Sequence, residues 1–252
     1  LDISSWTSKS PNAITLGQYA SDPLPRINFS GYNYTPAVSF YWDDDLSATV
    51  NRNRKLYSHG QTLAVDRSTS YYVFYVSNLD TENTIGVGTV FSIDAANNLY
   101  GWNVASSVGR GYAAFSTGTV TSSSSKTAGI NTVLVPNDYR TAATNTSPIR
   151  SYLNGENLTV GTAQHRTGNS AGVVTLGGTG TGTGNYFFGD IYEVLVLTGT
   201  QYQYMTDLEL QKIHSYFALK YGLTINVDYV NSNGSHIWTH TDNTGYNTGI
   251  FG

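Results

Sequence analysis

The sequence predicts an all-β domain, an antiparallel β-sandwich closed by one C-terminal helix. Short β-branched and aromatic runs recur every roughly 10 to 15 residues with no helical period between them, which favours antiparallel pairing over a parallel sheet with crossover helices. One stretch near the C-terminus changes to helical spacing. The 252 residues suffice for one such domain, because all-β sandwiches reach this size as a single unit.

Four apolar runs supply the predicted strands. Each is rich in Val, Ile, Leu, Tyr and Phe and is bounded by Asn, Asp, Ser or Gly. The fourth ends in consecutive Val and Leu residues, which is typical of a buried strand. The runs are residues 71–76, 84–93, 99–104 and 187–197.

Turn signals separate the predicted strands. Asn154 and Gly155 lie between two alternating segments within residues 150–160, and Asn-Gly supplies the positive φ angles of a type I′ turn. We therefore predict a β-hairpin there. Residues 121–125 and 177–184 are low-complexity stretches of Ser, Thr and Gly, which predict loops or a flexible rim.

The helix is predicted over residues 207–221. Thr206 and Glu209 have the spacing of a capping box, and Gly222 stands where a helix commonly ends. Apolar residues recur at helical spacing after the cap, so we expect one face to pack on the sandwich. That face is formed by Leu210, Ile213 and Phe217.

The domain is predicted to occupy residues 1–225. The chain beyond it is rich in Asn, Gly and Thr, with strand-like pieces at residues 227–230 and 236–239. We interpret residues 226–252 as a C-terminal extension or the start of a following module. Their apolar, Gly-flanked end at residues 249–252 suggests a cut inside a longer polypeptide.

Four segments carry a family likeness. They are residues 36–46 with Pro-Ala-Val-Ser-Phe and then Asp-Asp-Asp-Leu, residues 152–155 with Tyr-Leu-Asn-Gly, residues 189–194 with Gly-Asp-Ile-Tyr-Glu-Val followed by Lys-Tyr-Gly-Leu-Thr at 220–224, and more weakly residues 10–16. Together they resemble the laminin-G/pentraxin-like branch of the concanavalin A-like lectin and glucanase superfamily, as found in large bacterial secreted or surface proteins.

This resemblance implies an antiparallel jelly-roll β-sandwich with one C-terminal helix packed on it. It also implies a piece of a multidomain protein that is secreted or lies on the cell surface. The fold does not determine the function, because the superfamily includes lectins, glycosidases and purely structural domains.

Charge and composition exclude several classes of partner. With a net charge of -4 the chain lacks the clustered Lys and Arg that binding to nucleic acid requires. Its densest basic cluster, Arg52, Arg54 and Lys55, is expected on a solvated loop or strand edge. The sequence has 0 Cys, which excludes disulfides and thiolate metal sites. No run of about 18 apolar residues occurs, so we predict no membrane insertion.

Metal binding is predicted at one place. Asp43, Asp44 and Asp45 could offer oxygen ligands to calcium, although consecutive aspartates also serve as turn formers and caps. No other cofactor is indicated. His236 and His240 would lie some 13 Å apart on a strand, too far to share one zinc ion.

The acidic residues do not indicate a hydrolase. Hydrolysis of a glycosidic bond commonly uses two carboxylates in one groove. Asp190 and Glu193 are three residues apart, so a regular strand would direct them to opposite sides, and we expect backbone donors to satisfy Glu193. The chain is therefore predicted not to be an enzyme.

Aromatic residues are the remaining candidates for ligand binding. The chain contains 20 Tyr, and only 12% of its residues are charged, which suits stacking on sugar rings with hydrogen bonds from neutral groups. Trp42, Tyr100 and Trp102 are the predicted binding residues, because we expect them in or beside turns. The alternative is that Trp102 belongs to the core and Trp42 covers a sheet edge.

The predicted function is a non-catalytic extracellular binding or adhesion module that recognises glycan or another surface polymer. The first alternative is a structural subunit of a filament or tube that contacts copies of itself. A glycoside hydrolase or lyase of the same superfamily is the second alternative.

Overall fold

The computed structural model describes most of the chain, namely residues 1–11, 13–20, 22–40, 54–65, 70–79, 87–95, 98–105, 110–115, 118–121, 128–135, 146–147, 150–157, 163–164, 170–180, 186–199, 205–243 and 245. The elements in this part are β1 (Ser5–Thr7), β2 (Thr15–Gln18), β3 (Arg26–Asn28), a 3-10 turn (Tyr32–Tyr34), β4 (Ala37–Ser39), β5 (Leu56–Val65), β6 (Ser70–Leu79), β7 (Val87–Ala95), β8 (Asn98–Ala105), β9 (Arg110–Phe115), β10 (Gly118–Thr121), β11 (Ala128–Val135), β12 (Thr146–Ser147), β13 (Arg150–Leu153), β14 (Glu156–Asn157), β15 (Ala163–Gln164), β16 (Ser170–Leu176), β17 (Gly189–Gly199), α1 (Asp207–Tyr221), β18 (Tyr229–Val230) and β19 (His236–Trp238).

Two antiparallel sheets form the sandwich. In the described part, the first sheet has the strand order β1-β2-β5-β16-β7-β8-β9-β10 and the second has the order β14-β13-β11-β6-β17-β4-β3. The named strands pair antiparallel throughout both sheets. This arrangement, with its single helix in the described residues, confirms the predicted all-β, antiparallel jelly-roll sandwich.

Strand β6 has a buried side chain on each of its faces. Val73 and Tyr75 belong to the sandwich core, the cluster between the two sheets that includes Phe40, Leu56, Ile93 and Phe187. Tyr72 and Phe74 belong to the helix-side core, a second cluster that includes Tyr192, Leu210, Phe217 and Tyr229. Successive strand residues point to opposite faces, so a strand covered on both sides has the continuous apolar composition seen here.

The helix α1 has the predicted bounds and both predicted caps. Thr206 Oγ1 accepts the backbone N–H of Glu209 at 3.2 Å, and Glu209 Oε2 accepts that of Thr206 at 2.7 Å. Gly222 ends the helix with a left-handed φ of 62°, which a residue with a side chain adopts only at a cost. Leu210 and Phe217 are buried against the second sheet and Ile213 packs at their edge, which confirms the predicted face. Within the described residues, α1 is too short and too polar to cross a membrane.

The predicted hairpin is also confirmed. Asn154 and Gly155 join β13 to β14 with φ angles of 50° and 82°. Asn154 is buried, and its Oδ1 accepts the N–H of Ile130 at 2.8 Å. Its carbonyl accepts the N–H of Asn226 at 2.8 Å, so the turn also holds the chain that follows α1.

Residues beyond the predicted boundary at 225 pack on the helix. Strands β18 and β19 form a short hairpin, and Tyr229 is buried in the helix-side core. Val230 donates its N–H to the hydroxyl of Ser215 at 2.9 Å, and Gln211 donates to the carbonyl of Asp228 at 2.9 Å. The start of the predicted extension is thus joined to α1 by buried contacts.

The prediction of a solvated basic cluster is wrong for two of its three members. Arg54 and Lys55 are buried, with Lys55 only 1% exposed. The Lys55 ammonium donates to the carbonyl of Gly180 at 2.8 Å and lies 3.8 Å from the centroid of the Tyr19 ring. These contacts replace water around the charge. Arg52 lies outside the described residues.

Candidate functional site

The sequence-predicted binding and metal residues are only partly placed. Trp42, Asp43, Asp44 and Asp45 lie outside the described residues. The calcium site therefore stays a prediction. Among the described residues, no group of three or more His, Asp or Glu side chains could hold a metal ion.

Tyr100 and Trp102 do not lie beside turns. Both belong to β8, where Tyr100 pairs with Ile93 and Trp102 pairs with Phe91 of β7. The expected turn position was wrong, because Gly101 and Asn103 beside them belong to the strand. Their side chains lie outside the described part of the structure, so their role in binding stays a prediction.

A different set of aromatic residues is exposed on the segment between β3 and β4. We call residues 28–35 the aromatic loop. Phe29 is 63% exposed and Tyr34 is 92% exposed, although burial of either ring would stabilise the fold. Asn33 and Tyr34 both have left-handed backbone angles, with φ of 48° and 55°. Each such non-glycine residue costs about 1 kcal/mol or more, so surrounding contacts must hold the loop in this shape.

The contacts that hold the loop come from α1 and β17. Asn33 Nδ2 donates to the carbonyl of Lys220, in the last turn of α1, at 3.2 Å. The N–H of Tyr32 donates to the hydroxyl of Tyr192 at 3.3 Å, and the two rings stack with centroids 5.0 Å apart. The helix C-terminus and a strand of the second sheet together fix the position from which Tyr34 projects.

Polar groups lie at the base of the loop. Asn28 Nδ2 donates to Asp190 Oδ2 at 2.8 Å, while Asn28 Oδ1 accepts the N–H of Ser30 at 2.9 Å. Burial and the Asp190 carboxylate raise the pKa of Tyr32 and raise that of Tyr192 to about 12. Both hydroxyls therefore remain neutral at physiological pH.

Glu193 lies on the same side of the second sheet and binds side chains of α1. Its Oε2 accepts from Lys220 Nζ at 2.6 Å and from the Tyr221 hydroxyl at 2.7 Å. The Tyr216 hydroxyl is 3.4 Å from Oε1 and 3.0 Å from Lys220 Nζ. Burial raises the pKa of Tyr221, and the bond to Glu193 raises it further. The donors are side chains, so the expectation of backbone donors was wrong.

A β-bulge explains why Asp190 and Glu193 share one side. The pairing of β17 with β6 shifts between Ile191 and Glu193, so Tyr192 is an additional residue in the strand. Ile191 points into the sandwich core and Tyr192 into the helix-side core, and Glu193 then also faces the helix. The prediction that the two acids point to opposite sides assumed regular alternation, which a bulge interrupts.

The binding residues predicted from the sequence did not include those of the aromatic loop. Residues 29–34 read Phe-Ser-Gly-Tyr-Asn-Tyr, a turn-rich segment with three aromatic residues. Gly and Asn are the residue types that tolerate turns and left-handed angles, so this composition was an available signal for exposed aromatic side chains.

Two histidines near the C-terminus adjoin one carboxylate. Asp228 Oδ2 lies 3.1 Å from His236 Nδ1, and Asp228 Oδ1 accepts the backbone N–H of His240 at 2.6 Å. Asp228 thus binds a side chain on one histidine and the main chain of the other, and it orders the β19 hairpin.

One family model matches the C-terminal part of the chain. A model of a domain of unknown function, DUF8202, matches residues 209–252, which include most of α1 and the β18–β19 hairpin. No curated protein matches the chain.

Solved structures of several kinds are similar. The binding domain of botulinum neurotoxin serotype D/C is 10% identical, with a TM-score of 0.51 over 89% of this chain and 52% of that one. A Trypanosoma rangeli sialidase is 8% identical over 82% of this chain and 29% of that one, with a TM-score of 0.46. An alginate lyase of polysaccharide lyase family 7 is 11% identical over 78% and 95%, with a TM-score of 0.41. At this identity the likeness to the toxin domain shows the fold alone. The chain spans about half of the toxin domain and less than a third of the sialidase.

Proposed function

We propose that this chain is a secreted or cell-surface module that binds neutral glycan without catalysis, using the aromatic loop as its platform. The exposure of Phe29 and Tyr34 on a conformationally costly loop carries this proposal. Aromatic faces stack on the C–H surface of sugar rings, and a loop held in place beforehand loses little entropy on binding.

The polar groups at the base of the loop suit sugar hydroxyls. The half-buried Asp190 carboxylate has further acceptor capacity beyond its bond to Asn28. Ligand sites commonly combine apolar contact area with a few such placed polar groups.

The local charges favour neutral over acidic sugars. Asp190 places a carboxylate on this side of the sheet, and the Lys220 ammonium there is already paired with Glu193 at 2.6 Å. The whole chain has a net charge of -4, which also disfavours uronate or sulfate groups.

The bonding of the two acids supports the absence of catalysis. Asp190 bonds to Asn28, and Glu193 bonds to the ammonium of Lys220 and the hydroxyl of Tyr221. A glycosidase of the common type needs one carboxyl group as a proton donor and a second as base or nucleophile. Both carboxylates instead bond to side chains of the fold, which supports a structural role.

The binding and metal residues predicted from the sequence provide a second candidate site. Trp42, Tyr100 and Trp102 remain a second candidate platform, with calcium at Asp43, Asp44 and Asp45. Membership of the concanavalin A-like superfamily is supported by the quoted motifs and by a β-sandwich similar to a toxin binding domain.

The test is a glycan-array screen followed by titration calorimetry with a responding oligosaccharide. Tyr34→Ala and Phe29→Ala should each weaken binding about tenfold, the loss of about 1.4 kcal/mol of stacking. Ile237→Ala, which removes an exposed apolar side chain of β19, is the matched control and should leave affinity unchanged. Affinity should change less than about twofold between 0.05 and 0.5 M salt, because no ion pair with the ligand is screened.

Other outcomes separate the alternatives. Full affinity in both loop variants with loss in Trp42→Ala or Trp102→Ala would move the site to the sequence-predicted residues. A tenfold salt effect would contradict neutral recognition. Absence of glycan binding together with large assemblies in light scattering would instead favour a self-assembling structural subunit.

A further inference from the structure

His214 is buried at the centre of the contact between α1 and the second sheet. The residue is 1% exposed, and its Nε2 lies 2.8 Å from Thr132 Oγ1 of β11. The ring of Phe74 on β6 lies 6.0 Å from the imidazole, and that of Tyr152 on β13 lies 5.9 Å from it, measured between centroids.

The groups that face the imidazole from the three strands carry no negative charge. Thr132 offers a hydroxyl, Phe74 a hydrocarbon ring, and Tyr152 a phenol, which is the titratable group among them. Burial lowers the pKa of His214 to about 4, without a neighbouring charge to offset it. The docked helix therefore holds a neutral imidazole.

The same helix supports the aromatic loop at its other end. In the last turn of α1, the Lys220 carbonyl accepts a hydrogen bond from the side-chain amide of Asn33 at 3.2 Å. The ring centroid of Tyr221 lies 5.6 Å from that of Tyr192, which stacks on the loop. Displacement of α1 would remove these contacts, and the left-handed angles of the loop would lose their support.

We propose that protonation of His214 releases α1 from the second sheet and thereby disassembles the aromatic loop, so that the platform is lost in acid. The ligand part of this inference rests on the proposed function, while the release of the helix does not.

The direction follows from the two states of the histidine. At pH 7.5 the imidazole is neutral whether the helix is docked or not. Between pH 6.5 and 4 the undocked state takes up a proton and the docked state does not. The population of the undocked state should therefore rise about 30-fold at pH 5 relative to pH 7.5.

The experiment measures hydrogen–deuterium exchange of the α1 amides, corrected for intrinsic rates, at pH 7.5 and pH 5. Protection over residues 207–221 should fall about 30-fold in the wild type and much less in His214→Gln, in which position 214 cannot be charged. His236→Gln, which removes a half-exposed histidine of the β19 hairpin, is the control and should behave as the wild type. The amides of β6 and β11 should remain better protected than those of α1 at both pH values, because the helix opens without unfolding of the sheets.

Several results would overturn the proposal. One is equal protection of β6, β11 and α1 at both pH values, which would mean that the helix opens only in global unfolding. Another is equal pH dependence in wild type and His214→Gln. If that variant does not fold, an NMR titration of the wild-type imidazole decides, since a pKa of 6 or higher would contradict the buried neutral state.

Measuring oligosaccharide affinity at both pH values distinguishes failure of this inference from failure of the proposed function. An oligosaccharide bound at pH 7.5 should bind more weakly at pH 5 in the wild type, in proportion to the loss of the docked population, and with little change in His214→Gln. If no glycan binds at pH 7.5 but helix exchange follows His214, the proposed function fails and the release of the helix stands. Unchanged glycan affinity at pH 5 would overturn the coupling between helix and loop.

Discussion

Two basic side chains are buried equally deeply in this protein but have different kinds of groups around them. Lys55 lies at the sandwich core and His214 in the helix-side core, and each is 1% exposed. The Lys55 ammonium has the carbonyl oxygens of Gly180 and Thr179 and the face of Tyr19 around it. His214 has one threonine hydroxyl and the rings of two aromatic residues.

The difference teaches that the partners of a buried group, and not burial alone, decide whether it carries a charge. Oriented carbonyl dipoles and an aromatic face stabilise a cation where water is excluded. The hydroxyl of Thr132 and two aromatic rings with centroids 5.9 and 6.0 Å from the imidazole do not offset the loss of water, so the imidazole stays neutral. The sandwich therefore surrounds a basic side chain with acceptors, whereas the helix-side core holds an imidazole whose pKa burial lowers to about 4.

The largest expected effect tests whether the two regions unfold separately. Phe217 and Phe187 are both 0% exposed, one in each core. Replacement of either by Ala should cost about 3 to 5 kcal/mol, measured by urea denaturation. In Phe217→Ala, hydrogen exchange should increase mainly in α1 and the β18–β19 hairpin, whereas in Phe187→Ala it should increase throughout the sandwich. A loss under about 1 kcal/mol in Phe217→Ala would show that the helix is not docked.

The next effect concerns the buried cation. Lys55→Met keeps the aliphatic stem but leaves the Gly180 and Thr179 carbonyls without their donor, which should cost about 2 to 3 kcal/mol. Lys220→Met is the matched control, because its ammonium is partly exposed to solvent and its ion pair with Glu193 should contribute under about 1 kcal/mol. Equal losses in the two variants would contradict the structural role assigned to Lys55.

The third prediction concerns how the free energy of unfolding depends on pH through His214. A histidine whose folded pKa is about 4 contributes stability that is present above its unfolded pKa near 6.5 and is lost as the pH falls. Wild-type stability should drop by about 2 kcal/mol between pH 7.5 and 5, and by much less in His214→Gln. Glu209, whose pKa is lowered by its bonds to Thr206, loses its contribution only below its ordinary range near 4.5. A flat wild-type profile would place His214 in contact with solvent.

The smallest effect concerns Glu193, which we predict is not a catalytic acid. Glu193→Gln replaces a charged acceptor of Lys220 and Tyr221 by a neutral one and should cost about 1 kcal/mol, because the pair is partly exposed. Thermal unfolding measures this change. Loss of a polysaccharide-degrading activity at unchanged Tm would contradict the proposed binding role.

Much of the fold could be predicted from local patterns. The helix bounds followed from Thr206, Glu209 and Gly222, and the β13–β14 turn from Asn154 and Gly155, because caps and tight turns are satisfied by residues three or four positions apart. The strand runs were placed within a few residues, since a β-branched and aromatic composition marks a strand wherever it pairs.

For the candidate site, the sequence predicted the types of residue involved but not their positions. Loop aromatic residues with neutral polar neighbours were expected, but at Trp42, Tyr100 and Trp102, and the structure adds Phe29 and Tyr34. What exposes Tyr34 is its backbone angle and the bond of the neighbouring Asn33 to the Lys220 carbonyl, 187 residues further along the chain. No pattern in residues 28–35 alone specifies that support.

The sequence by itself thus determined α1 with its caps and its apolar face, the β13–β14 turn and four of the strand segments. Only the tertiary structure decided that the bulge at Tyr192 brings Asp190 and Glu193 to one side, that Lys55 is buried among carbonyl oxygens, and that His214 is neutral. The physical reason is range. Caps, turns and periodicity act over a few residues, whereas burial and pairing depend on contacts such as Thr132 with His214, which lie 82 residues apart in the chain.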